Sequence, residues 1–153
     1  SSMTIQLAMY KGRGKIGNRL TRFWTRSKYS HCEIVINGFC YSSSFMDGGV
    51  RKKDIDLTDG KWDLIDIPWA SERCILCFFS RSIGSGYDWA GLLGSQVFNR
   101  RCNNPNRYFC SEWAGDALGI PNPEAYSPQS LLNICLYLNE RHNTHGSNNC
   151  QDC

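Results

Sequence analysis

The chain has 153 residues, 41% hydrophobic and 20% charged, a length and balance that suit one globular domain with a real core and leave too little for two. No apolar run approaches the roughly 20 residues of a membrane-spanning helix, which argues against an integral membrane protein. The net charge of +3 hides an asymmetry: no acid precedes Glu33, while Lys11, Arg13, Lys15, Arg19, Arg22, Arg26 and Lys28 crowd together ahead of it, so phosphate, nucleic acid or anionic lipid could meet this segment, although a solvated helix face is the plainer expectation.

The opening SSMTIQ carries no basic-then-apolar leader, and the two serines ahead of Met3 read as a cloning remnant. The native start is therefore expected at Met3 and the protein in the cytoplasm. TIQLAMY reads as a short strand and GRGKIG as the turn after it. Ile16, Leu20, Phe23 and Trp24 recur at helical spacing with arginines between them, which predicts a helix over 16–27 with one apolar face. HCEIVI is a strand, and FCYSSSF is its hairpin partner across Asn37-Gly38, a pair that favours a two-residue turn. DGGVRKKDIDLTDGK is expected to be turn-rich loop, and Trp62 to Ile67 alternates as a further strand ending at Pro68.

SERCILCFFSRSIGSG predicts a helix capped by Ser71 and ended by Gly84 or Gly86. YDWAGLLGSQVF reads as another short helix and NRRCNNPN as a loop. NRYFCSEWAGDALGI then opens a helix near Cys110 that stops near Gly119 and Pro121. SPQSLLNICLYLNER is the last helix, and residues 142–153 form a polar, disordered tail, which leaves 3–141 as the domain. Helices around a small antiparallel sheet make an α+β fold.

Gly12, Gly14 and Gly17 match the G-x-G-x-x-G of a dinucleotide site. The following helix is short, the strand–helix alternation does not continue, and Glu33 comes early in the next strand rather than at its end, so no nucleotide cofactor is expected. It is no Walker loop either, because Ile16 follows Lys15 where Ser or Thr belongs. His142, His145, Cys150 and Cys153 have zinc-like spacing within each pair, but the linker between the pairs is four residues, short for a finger, and no metal is expected. Cys74 and Cys77 are expected as small buried hydrophobes within their helix. Nine cysteines, an odd count in a chain with enough apolar residues for a core, point to reduced thiols rather than disulfide staples.

A thiol becomes a useful nucleophile when its pKa falls, through a helix N-terminus or a neighbouring imidazole. Cys110 has the first if the helix starts beside it. His31 is the one histidine inside an expected core element, since the other two lie in the tail. Along HCEIVI, Cys32, Ile34 and Ile36 share one face, and His31, Glu33 and Val35 the other, so an imidazole and a carboxylate share a side. The plainer readings are a hydrogen-bonded core or rim histidine and a buried helix-start cysteine.

YSHCEIVI, GSGYDWAGLL and YFCSEWAGDALG, in that order, resemble the circularly permuted branch of the NlpC-like, papain-related cysteine hydrolases, the group that includes relatives of lecithin:retinol acyltransferase. The similarity runs from about Met3 to Leu138. It implies a permuted papain-like fold, with the catalytic histidine first, on a strand after an N-terminal helix, and the nucleophile late, at a helix N-terminus. Cys110 is then the nucleophile and His31 the general base. The orienting third residue would come from the next strand, where Ser42 or Ser44 stands. Serine orients imidazole weakly, so Glu33 is favoured, although residues two apart on a strand sit about 6.5 Å apart and make a direct contact awkward. Glu112 is a further candidate that could instead cap its helix. Ser111 and Tyr87 are expected to line the site, with the backbone N–H of Cys110 or Ser111 holding an oxyanion.

The implied reaction is cleavage of an amide or (thio)ester bond through an acyl-enzyme, as in peptidases or amidases of cell-wall type. A lipid acyltransferase or thioesterase is one alternative. A catalytically inactive module that binds an anionic partner through Arg19, Arg22 and Arg26 is another. The expected partners are a peptide or acyl substrate and an anionic membrane surface at the basic N-terminal helix, and neither nucleic acid nor a cofactor is expected. Without an export leader, a cell-wall substrate implies a lysis or injection route, as a phage-encoded enzyme has.

Overall fold

A computed structural model describes residues 4–12, 29–87 and 107–145. The helix expected over 16–27, the body of the helix expected after Tyr87 and the loop ahead of Arg107 lie outside these residues, as does the chain after His145. Five strands form an antiparallel sheet: β1 (Ile5–Tyr10), β2 (His31–Ile36), β3 (Phe39–Ser44), β4 (Gly49–Lys53) and β5 (Trp62–Asp66), in the spatial order β4-β3-β2-β1-β5. Together with three helices among the described residues this is an α+β architecture. The β2–β3 hairpin turns on Asn37 and Gly38, at φ 56° and 84°, the left-handed pair that a type I′ turn requires and that Asn-Gly adopts with least strain.

β4 lies in the stretch expected to be loop. Two glycines at its approach and Arg51-Lys52-Lys53 along it hide the strand pattern, but pairing sets Ser43 opposite Val50 and Ser42 opposite Arg51. Val50 is buried in the main core. Gly49 has φ 137°, and a Cβ placed there would lie 1.9 Å from the Ser85 carbonyl oxygen, so only glycine allows this close approach. The contact is sealed by Val50 N–H donating to that carbonyl at 2.8 Å.

The alternation of β2 sorts its two faces. Cys32, Ile34 and Ile36 join Leu7, Met9 and Tyr41 in the main core, against Trp113 and Leu131 from the helices. Val35 joins Ala8 and Cys40 in a smaller cluster on the opposite face. The first described helix, α1 (Glu72–Ser82), is capped as expected, with Ser71 Oγ accepting from Cys74 N–H at 3.2 Å. Cys74 and Cys77, however, are exposed: the helix turns Ile75 and Ser82 inward, which points the Cys-x2-Cys outward rather than into the core. Its end is marked by Gly84 at φ 85°.

A short parallel pair, β6 (Gly86–Tyr87) with β7 (Arg107–Tyr108), leads into α2 (Cys110–Ala117). α2 packs across β2 and β3. Trp113, fully buried at its centre, donates its indole N–H to Ser82 Oγ at 2.9 Å and so ties α2 to α1. After a 3-10 turn (Pro123–Ala125), α3 (Pro128–His145) runs past Arg141, so residues 142–145 are helical rather than tail. Among the described residues no helix is long and apolar enough to cross a membrane.

Candidate active site

α2 starts at Cys110 with Phe109 as its N-cap. Phenylalanine has no side-chain acceptor, so the cap comes from inside the helix: Glu112 accepts from Phe109 N–H at 3.4 Å, the carboxylate half of a capping box. The backbone ladder begins with Trp113 N–H to the Phe109 carbonyl at 2.9 Å. The N–H groups of Cys110, Ser111 and Glu112 precede it, and helix geometry gives them no intrahelical acceptor. Their partial positive charge favours an anion at Cys110. Ser111 is buried and its hydroxyl donates to the Tyr126 carbonyl at 2.6 Å, which anchors this first turn.

His31 opens β2 beside Tyr10 of β1, which also pairs with Trp62 of β5. The Trp62 ring meets the imidazole edge-on at 6.5 Å and the Tyr10 ring at 5.0 Å, so the three rings form a row across the sheet. Two residues along β2, Glu33 is fully buried and hydrogen-bonds His31 Nε2 through Oε2. The spacing that makes this contact awkward on an ideal strand is bridged by the reach of the two side chains.

Glu33 is held from its other side by Arg51. Nη1 donates to Oε1 at 2.6 Å and Nη2 to Oε2 at 2.8 Å, a fork that matches the carboxylate plane. Arg51 Nε donates in turn to Asp47 Oδ2 at 2.9 Å, and Lys53 Nζ lies 3.3 Å from Asp47 Oδ1. Charges therefore alternate from Lys53 through Asp47, Arg51 and Glu33 to His31.

Cys110 closes the series, with its thiol in contact with both Cys32 and His31. The hydrogen bond with Cys32 outweighs burial and, together with the hydrogen bond and positive charge of His31, draws Cys110 well below the ordinary thiol range. The same contact, with burial, pushes Cys32 well up. Burial pulls the His31 imidazole down, but the Glu33 charge and the Cys110 contact outweigh it and raise it to about 10. Burial likewise pushes Glu33 up, and His31 and Arg51 overcome it to hold the carboxyl below its ordinary value. Cys40 and Cys135, buried without such partners, are pushed up to about 12. The lowering of the Cys110 thiol and the raising of the His31 imidazole both act in favour of the thiolate–imidazolium form of the pair.

The structure thus brings Cys110, His31 and Glu33 together. It does not put a serine of β3 on the imidazole: Ser42 Oγ donates to the Cys32 carbonyl at 2.7 Å, and Ser44 lines a cavity beside His31. Glu112 is the helix cap. Tyr87 lies in β6, its backbone paired with Tyr108 just ahead of α2. Arg51 and Cys32 are the site neighbours that sequence reasoning missed. A buried acid on a strand face requires a cation, and Arg51 becomes its natural partner once β4 is read as a strand.

The cavity has a volume of about 440 Å³; His31 and Glu33 line it with Tyr10, Trp62, Phe45 and Met46 and with charged residues of β4 and the loop after it, and Cys110 is not among its lining residues. No group of three or more His, Cys, Asp or Glu among the described residues is placed to hold a metal ion. Comparison of the chain with models of known protein families and with curated proteins finds no match.

Proposed function

We propose that the protein is a cysteine hydrolase of the permuted papain-like type, forming an acyl-enzyme on Cys110 with His31 as acid–base and Glu33 as its orienting carboxylate. The observation that carries the reading is geometric: Cys110 opens α2 and lies beside His31, whose imidazole is hydrogen-bonded to the fully buried Glu33. The Cys110 thiolate attacks the carbonyl carbon of an amide or (thio)ester, and the carbonyl π pair moves to oxygen, where the N–H groups at the start of α2 can receive the oxyanion. As the intermediate collapses, the bond to the leaving group breaks and His31 gives its proton to the departing amine, alcohol or thiol. Neutral His31 then takes a proton from water, the hydroxide attacks the acyl carbon, and release of the acid restores the thiolate and imidazolium. Cys110 is 1% exposed, so acylation requires its surroundings to open.

A peptide amide of cell-wall type is the substrate class we favour. An acyl lipid or thioester is the second reading, favoured by Phe45 and Met46, which are 41% and 61% exposed at the cavity. The test of the chemistry is iodoacetamide labelling at pH 6 followed by intact mass and peptide mapping. Cys110 should be modified first, ahead of the exposed Cys74 and Cys77, and about tenfold or more slowly in His31→Ala. Slow labelling of several cysteines at rates indifferent to that substitution overturns the reading.

A further inference from the structure

With a thiolate at Cys110, an imidazolium at His31, a carboxylate at Glu33 and a guanidinium at Arg51, the charges of the site sum to zero. Without Arg51 the same state carries one uncompensated negative charge where water screens it poorly, because Glu33 is fully buried and Cys110 nearly so. A proton relieves it. Taken up by the sulfur, that proton ends the thiolate directly. Taken up by Glu33, it strips His31 of its counter-charge and frees the imidazole proton for the sulfur. Both routes leave Cys110 as a neutral thiol.

We propose that Arg51 is a positioning residue of this site: its fork on Glu33 holds the carboxylate against His31 and balances the charge that lets Cys110 exist as a thiolate. The inference rests on the reading of Cys110 and His31 as the reactive pair. Asp47 occupies Nε, which leaves both terminal nitrogens of the guanidinium for Glu33. Lys53, in turn, offsets the charge of Asp47. Among the described residues, the titratable and charged groups facing the sulfur or its partners are His31, Cys32 and Glu33 from β2, Arg51 from β4, which meets Glu33, Glu112 on its own helix turn, and Cys135 of α3, which acts on Cys32. Arg51 is the one permanent cation among them.

The test is the pH dependence of Cys110 alkylation by iodoacetamide, read by intact mass, in wild type, Arg51→Met, Arg51→Lys, Glu33→Gln and the Glu33→Gln/Arg51→Met double variant. Wild type is read first, since slow labelling at pH 6 there sinks the reactive pair itself, whatever Arg51 does. Given fast labelling, Arg51→Met should move the midpoint up by about one pH unit and slow alkylation at pH 6 about tenfold. Arg51→Lys, which keeps the charge, should recover most of that shift. In the Glu33→Gln background, Arg51→Met should add little, because its action runs through Glu33. A purely structural Arg51 would lower the melting temperature and leave the midpoint in place, and that result in folded Arg51→Met overturns the proposal. If Arg51→Met does not fold, the double variant, which loses base and acid together, decides against Glu33→Gln: a further large shift there makes Arg51 a remote charge and overturns the proposal, and coincidence supports it.

Discussion

Replacing Glu33 by glutamine keeps the shape of the side chain and removes its charge, so it isolates the electrostatics of the site. The carboxylate receives two hydrogen bonds from Arg51, at 2.6 and 2.8 Å, and one from His31. Hydrogen bonds to charged groups contribute about 1.5–3 kcal/mol each, and removing one partner of a buried pair costs about 3–5 kcal/mol. Glutamine retains one acceptor and Asp47 retains its bond to Arg51, which places Glu33→Gln near the low end, about 3 kcal/mol, or roughly a hundredfold in the folding equilibrium. With a urea m-value of about 2 kcal/mol/M, the midpoint at pH 7 should fall by about 1.5 M. Tryptophan fluorescence should follow the transition, given the buried Trp113. The difference between wild type and variant should disappear in acid, below the lowered titration of Glu33, where both side chains are neutral. A midpoint at pH 7 within about 0.3 M of wild type, a difference too small for a broken buried pair, would refute the argument that Glu33 is a paired buried charge.

Two further outcomes follow from the structure. His31 holds its proton up to about 10 in the folded chain, against 6.5 for the free group, so its stabilisation is full below pH 6.5 and is lost as pH rises towards 10. Cys110 has the opposite sign: its stabilisation is full above the ordinary thiol value of 9.0 and is lost as pH falls through its lowered one. Where the two windows overlap the slopes oppose each other, so urea stability of wild type should vary less with pH than that of Cys110→Ala, which should lose stability as pH rises above 6.5 at up to about 1.4 kcal/mol per unit. Parallel profiles would show that the two groups do not titrate as described. Gly49→Ala should lower the melting temperature by roughly 6–12 °C, for a loss of about 3 kcal/mol, because its Cβ meets the Ser85 carbonyl. Gly48→Ala has the same left-handed φ problem and open space around it, and should cost only about 1 kcal/mol; equal melting temperatures would remove the steric account.

What could be read in the amino acids was whatever local chemistry determines. The β2–β3 hairpin was legible because Asn37-Gly38 suits one turn geometry, and the division of β2 into two faces was legible because side chains alternate on any strand. The start of α2 was legible too, although its cap comes from Glu112 rather than the residue at the boundary. β4 was not legible. Its strand character comes from pairing with β3 and from the burial of Val50, while its own residues look like a charged turn. The contact between Arg51 and Glu33 depends on that pairing and was hidden with it. Cys74 and Cys77 misled for a related reason: in a helix with apolar residues on several sides, spacing alone does not say which side meets the core.

The acid–base series from Asp47 to His31 lies wholly within the β2–β4 meander, while Cys110 comes from far along the chain. Short loops close sooner and at a smaller entropic cost than long ones. During synthesis or refolding, the imidazole can acquire its carboxylate and guanidinium while the sulfur is still on an unstructured segment with ordinary thiol acidity. The surroundings that lower the Cys110 thiol, with Cys32 and His31 beside it, exist only once α2 has docked on β2 and β3. Before that contact the thiol has ordinary acidity and is less readily oxidised, so the sulfur becomes easiest to oxidise only where the fold also buries it.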